Sequence, residues 1–259
     1  MNILFLGDIV GRPAREAVGK ILPDLKKRFD IDFTVANGEN LAHGIGITQR
    51  SIDEIREYGV DLLTSGNHIW KRKQALEIVD EDNSFILRPA NYPQGVPGKG
   101  WKIIENASGK LLVINLEGRV FMNERLDCPF RALDQILDET KNLEKDAIIV
   151  DFHAEATSEK RAMGFYAKGR VSAILGTHTH VQTADDLIFP EGMAYISDVG
   201  MVGGKNSVLG VKPEQSLNNF LYQVKPNFEV ADGEIEVCGV VLEIVDGKAT
   251  SITRVREIV

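Results

Sequence analysis

The chain has 259 residues, 43% hydrophobic and 26% charged, a mixture that excludes extended disorder and lets one large domain bury its own core. Its 38 acidic against 30 basic side chains give a formal charge of -8, which excludes a whole-molecule field for nucleic acid or an anionic membrane. A small anionic substrate would therefore need concentrated local cations, which metal ions supply. Cys128 and Cys238 lie too far apart in sequence for a close-spaced metal or redox motif and read as reduced thiols.

The apolar start, Met1 to Val10, is interrupted by Asp8 and lacks a basic flank, so it reads as a buried strand rather than a signal peptide. No apolar run reaches the ~18 residues of a membrane span, and a cytoplasmic location is expected. Ile3 to Leu6 predicts a strand, and Ala14 to Phe29 predicts a helix with Ala17, Val18, Ile21, Leu22 and Leu25 on one face. Phe33 to Ala36 predicts a second strand. Ser51 to Tyr58 predicts a helix opened by Ser51, with Glu54 at capping-box spacing. Leu62 to Thr64 completes a third strand.

Arg88 to Gly100, with three prolines and three glycines, predicts a long irregular loop. Lys102 to Asn106 and Lys110 to Leu116 predict a hairpin around Ser108-Gly109, and Arg131 to Leu143 a helix. Ala147 to Phe152 and Ala173 to Gly176 predict buried strands ending at His153 and before His178. Pro213 to Tyr222 predicts a helix, and Glu234 to Val245 with Thr250 to Val259 a hairpin turning at Asp246-Gly247. The strand-rich tail argues against a purely doubly wound sheet. A single α/β domain over residues 1–259, two mixed sheets packed together with helices outside, fits the pattern.

Five strand ends run into polar clusters: Gly7-Asp8, Asn37-Gly38-Glu39-Asn40, Ser65-Gly66-Asn67-His68, His153, and His178-Thr179-His180. In parallel layouts such ends share one edge of the sheet, where ligands bind. Histidine with carboxylate and amide oxygens makes a mixed set that suits first-row transition metals. In an extended segment, His178 and His180 would project to the same side. Asp8, Glu39, Asn40, Asn67, His153, His178 and His180 are seven candidate ligands, more than one four-coordinate ion uses and enough for two. Each cluster has a plainer reading on its own. A His-x-His pair can be structural, Asp8 a cap, and Asn37-Gly38 a turn. Gly7-Asp8-Ile9-Val10-Gly11 does not match the dinucleotide-binding fingerprint.

These blocks resemble the ordered motifs of calcineurin-like metallophosphoesterases, with two departures. Val10 stands where the first block usually has histidine, and Gly38-Glu39-Asn40 replaces the usual Gly-Asp. Both departures, together with Asp151-Phe152-His153-Ala154-Glu155-Ala156-Thr157 and Ser197-Asp198-Val199-Gly200-Met201, resemble the bacterial YmdB-like branch over nearly the whole chain. The resemblance implies a four-layer α/β/β/α sandwich and hydrolysis of 2′,3′- or 3′,5′-cyclic nucleotides with iron or manganese. It also implies homo-oligomers. Residue by residue, it implies Glu39 bridging two ions, Asp8 and His180 on one, Asn67, His153 and His178 on the other, and Asn40 near the first in place of Val10.

Hydroxide attack on phosphorus, with no covalent intermediate, is the expected chemistry. His68, directly after Asn67, is expected to protonate the departing alkoxide, against the plainer readings of a structural ring or a third ligand. His43 reads as packed or hydrogen-bonded behind the ligands, against a contact to substrate phosphate, Arg12 and Arg15 as solvated, against a phosphate-binding role, and residues 200–210 as a flap carrying Lys205 or a solvated loop. Two other functions are open: a non-catalytic metal-bound nucleotide sensor or scaffold, and a hydrolase of amide or amine bonds. The late position of His178-Thr179-His180 disfavours the second, and His68 disfavours the first.

Overall fold

The computed structural model describes residues 1–259 except 81–83 and 225. The first half runs β1 (Asn2–Leu6), β2 (Asp8–Ile9), α1 (Gly11–Phe29), β3 (Phe33–Asn37), α2 (Gln49–Glu57), β4 (Leu62–Thr64), α3 (Ala75–Asp80), β5 (Trp101–Asn106) and β6 (Gly109–Glu117). It continues through α4 (Pro129–Glu139), β7 (Ala147–His153), α5 (Thr157–Ala167), β8 (Ala173–Thr177), β9 (Leu187–Phe189), β10 (Met193–Ile196) and β11 (Met201–Gly204). The tail is α6 (Pro213–Tyr222), β12 (Ile235–Val245) and β13 (Lys248–Ile258).

The strands form two mixed sheets. One has seven strands in the order β2-β11-β12-β1-β3-β4, with β13 on β12, and the other has six in the order β5-β6-β7-β8-β10-β9. Period-two alternation sorts the apolar side chains between layers. In β1, Ile3 and Phe5 enter the core between the sheets, whereas Leu4 and Leu6 enter the core against α1 and α2. In β6, Leu111 and Val113 face the first sheet while Leu112, Ile114 and Leu116 join the core under α4 and α5. Both faces are covered, so these strands read as unbroken apolar runs. The result is the expected α/β/β/α sandwich, and no helix among the described residues is long and apolar enough to cross a membrane.

Several expectations change. The cap of α2 is Thr48, whose hydroxyl accepts from the Ser51 N–H while Ser51 returns a bond to the Thr48 N–H. Ser51 is thus three residues inside the motif, and Glu54 is freed to pair with Arg15 at 2.8 Å. Helix α4 stops at Glu139, closed by the Thr140 hydroxyl bonding the Ile136 carbonyl at 2.8 Å. Residues 201–204 are not a flap but strand β11, held between β2 and β12.

Within each sheet, neighbouring strand ends approach closely at the polar edge because glycine stands there. A Cβ on Gly7 would meet the Gly200 carbonyl oxygen at 1.9 Å, and one on Gly176 would meet that of Ser197 at 1.8 Å. Gly7→Ala should force the β1–β2 junction away from the Gly200 carbonyl that leads into β11 and lower the unfolding free energy in urea by ~1–3 kcal/mol, the usual cost of overpacking. An unchanged urea midpoint would show that this approach is not required.

Candidate functional site

Strands β1, β3 and β4 are parallel, as are β6, β7, β8 and β10, so their C-terminal ends open at one seam between the sheets. The first sheet brings Asp8, Glu39, Asn40, Asn67 and His68 there, and the second brings His153, His178 and His180. All eight form one connected cluster. His153 Nε2 lies 3.1 Å from Asn67 Oδ1, 3.0 Å from His178 Nδ1 and 3.4 Å from Glu39 Oε1. Asp8 Oδ1 lies 3.8 Å from His153 Nδ1 and 3.7 Å from His180 Nε2. Gly66 makes room for this: a Cβ there would sit 2.1 Å from the His153 ring.

The outward partners of the three histidines decide which nitrogen faces inward. Thr177 spends its hydroxyl hydrogen on Asp151 at 2.6 Å, so it accepts from His153 Nδ1 at 2.9 Å. His178 Nε2 donates to Glu155 at 3.0 Å, and His180 Nδ1 donates to the Leu209 carbonyl at 3.0 Å. Nε2 of His153, Nδ1 of His178 and Nε2 of His180 are thereby turned toward the carboxylates as potential ligands, the arrangement in which outer partners orient metal-binding imidazoles. Ligand atoms of Glu39, His153 and His178 all lie within 4.8 Å of one another, close enough to share one ion. Asp8 Oδ1 is buried with no hydrogen-bond partner, as expected of an acceptor awaiting a cation.

The electrostatics make the same demand. Burial alone would favour a neutral His153, yet Glu39, Asp8 and Asp151 push its pKa up to about 10. Burial would likewise raise the Glu39 carboxyl, but His153 and His68 hold it below the usual carboxylate range. Burial pulls His178 down to about 3, with the charge of His153 adding to the effect. The clustered carboxylates thus call for positive charge, and nitrogen with oxygen donors suits transition-metal ions. His68 is held by its N–H to Glu39 Oε2 and by Nδ1 to Asn40 Oδ1, both at 2.9 Å, and burial lowers its pKa. Asn40 turns its nitrogen, not its oxygen, toward Glu39 and His180.

His178 and His180 do not project from an extended segment. Their φ values are +96° and +64°, uncommon for residues with a Cβ and a cost that the surroundings must offset. Asp198 holds the turn by accepting from the Thr179 N–H at 3.0 Å and its hydroxyl at 2.7 Å. Lys160, on α5, donates to the same oxygen at 2.8 Å, and both partners are buried. Neither α5 nor these partners was expected from the sequence, and Glu155, Asp151 and Thr177 complete the group of supports that it left unassigned.

The remaining candidates stay apart from the chemistry. Lys205 pairs with Glu234 at 3.1 Å, and Arg12 with Glu16 at 2.7 Å. Arg15 is buried rather than solvated, bonded to Glu54 and to the Leu41 carbonyl. His43 is exposed at φ +57° rather than packed behind the ligands.

The profile of a family described as YmdB-like protein matches residues 4–255. A Bacillus subtilis protein named 2′,3′-cyclic-nucleotide 2′-phosphodiesterase is 45% identical over 257 residues, covering 98% of this chain and 96% of that protein. A Thermus thermophilus crystal structure of a hypothetical protein superposes with TM-score 0.92 at 41% identity, covering 100% of this chain and 99% of the other. A Mycoplasma pneumoniae structure described as a novel phosphatase gives 0.91 at 34%, covering 100% and 93%.

Lys160→Met would leave Asp198 buried without its cation, a change that costs ~3–5 kcal/mol where buried pairs are broken. Chemical denaturation should show that loss, and elemental analysis should show reduced metal content as the turn at 178–180 loosens. Full metal content in the destabilised variant would mean that the turn is held by other contacts.

Proposed function

The chain belongs to the YmdB-like family, and on that premise we propose that it is a metal-dependent phosphodiesterase that opens cyclic nucleotides, 2′,3′-cyclic ones first, with two iron or manganese ions at the seam. The observation that carries this reading is the set of three histidines, each with one nitrogen committed to an outer acceptor and the other turned toward buried carboxylates. Asp8 and His180 would hold one ion, Asn67, His153 and His178 the other, with Glu39 between them. Asn40 would stand near the first ion, while its Oδ1 holds His68 Nδ1 at 2.9 Å.

Bound there, the ions would polarise the phosphoryl oxygens and lower the pKa of an attacking water toward ~7. His68 is the chain's own contribution to the leaving group. Its backbone N–H is tied to Glu39 and its Nδ1 to Asn40, so the ring is positioned by the residues that hold the ions, while its side chain is 30% exposed. The negative charge of an arriving phosphodiester raises the proton affinity of the ring, favouring the form that donates to the departing ribose oxygen. In 2′,3′- and 3′,5′-cyclic nucleotides alike, the leaving group is a sugar oxygen of a phosphodiester monoanion. Self-association with a second copy belongs to the same proposal, supported by α6, which buries Ser216 but exposes Leu217, Phe220, Leu221 and Tyr222.

The test is turnover of 2′,3′- and 3′,5′-cyclic nucleotides, a phosphomonoester and bis-p-nitrophenyl phosphate by protein loaded with Mn or Fe. Diester turnover that chelation abolishes and metal restores is expected, and no turnover of any diester would overturn the assignment. His68→Ala is expected to keep its metal content and lose ~10²–10⁴-fold in kcat on the cyclic substrates. Retention of full activity would remove His68 from the mechanism.

A further inference from the structure

The register at the seam places a third side chain beside His153. Glu117, the last residue of β6, pairs with His153 on β7, which in turn pairs with Thr177 on β8. Paired residues of neighbouring parallel strands point to the same face, so Thr177 and Glu117 flank His153 on its two sides. Thr177 is already bonded to the imidazole. Glu117 is fully buried, and neither of its carboxyl oxygens has a hydrogen-bond partner.

This placement is built into the fold. The Glu117 N–H donates to Asn91 Oδ1 at 2.9 Å, and its carbonyl accepts from Asn91 Nδ2 at 2.8 Å. The charged groups that bear on it are His153, Glu124 and Glu39, with no lysine or arginine among them. Glu124 also has one buried oxygen without a partner. A buried carboxyl with no hydrogen-bond donor is costly, and native structures avoid leaving one so. Full burial keeps Glu117 from substrate. Two divalent ions, however, would bring four positive charges to a ligand set in which Asp8 and Glu39 return two negative ones, and this imbalance is what Glu117 faces across His153.

We propose that Glu117 is a counter-charge of the metal centre: a positioning residue, not a ligand, whose carboxylate beside His153 strengthens retention of the ions. This rests on the metal-binding reading of the site.

Metal-free protein prepared by chelation is titrated with Mn²⁺ by calorimetry, and its thermal melt is recorded. Glu117→Gln keeps the volume and removes the charge, so it is expected to weaken Mn²⁺ binding ~10–100-fold, the range for partners that support metal ligands. Its metal-free melting temperature should not fall. Glu117→Asp keeps the charge and should stay within about threefold of the unmodified chain, by the same dependence on charge rather than on shape. Unchanged Mn²⁺ affinity in Glu117→Gln overturns the proposal, as does an equal loss in both variants or a metal-free melt that drops in step with affinity. If Glu117→Gln does not fold, a tenfold loss in Glu117→Asp overturns it as well. An unmodified chain that binds no Mn²⁺ would instead overturn the metal-binding reading on which it rests.

Discussion

One buried carboxylate ties the two sheets together at the end where the side chains meet. Asp151, fully buried in β7, accepts from Asn37 Nδ2 at 3.0 Å and Thr64 Oγ1 at 2.5 Å, both from the first sheet. It also accepts from Thr177 Oγ1 at 2.6 Å in its own sheet, and through that hydroxyl it sets which nitrogen of His153 faces the seam. Burial pushes its pKa up to about 7, opposed by His153 and by the two threonine hydroxyls. The interior between the sheets is apolar and would tolerate some sliding. A carboxylate with three directional donors does not, so the separation and register of the strand ends are fixed by it.

The same economy appears around His153, His178 and His180. Each ring gives one nitrogen to an outer acceptor of a different kind, a threonine hydroxyl, a glutamate and a backbone carbonyl, which leaves the other nitrogen directed inward. Asp198 does the equivalent for the backbone, holding two residues at positive φ against their preference. His68, the proposed leaving-group acid, is tethered to Glu39 and Asn40, so anything that displaces either displaces His68 with it.

What the sequence made legible was local. The polar cluster after each buried strand is visible in a single window, and strand ends of one direction must share an edge. The convergence of eight polar residues on one seam was therefore recoverable from the sequence. Their supports were not, because each depends on a partner far along the chain. Asp151 sits inside an apolar strand and looks like one of its members, while Lys160 and Glu159 are polar residues buried on α5, which blurs that helix's apolar stripe. Strands β2, β9 and β10 have two to four residues and carry no usable period. The turn at His178 was misread because alternation describes strands, and the local backbone there is set by Asp198 rather than by propensity.

The place of β12 has a consequence for how the molecule comes into being. It lies between β1 and β11, so Ile3 pairs with Leu242 and Gly203 with Glu236. A strand made long after β1 is thus central to the first sheet, and β2, which carries Asp8, reaches that strand only through β11. Loop closure over such separations is slow and comes late. Asp8 therefore cannot reach His153 in the finished sheet until β11 and β12 have been made. The Asp8 side of the seam is thereby assembled after the side formed by Glu39, His153 and His178.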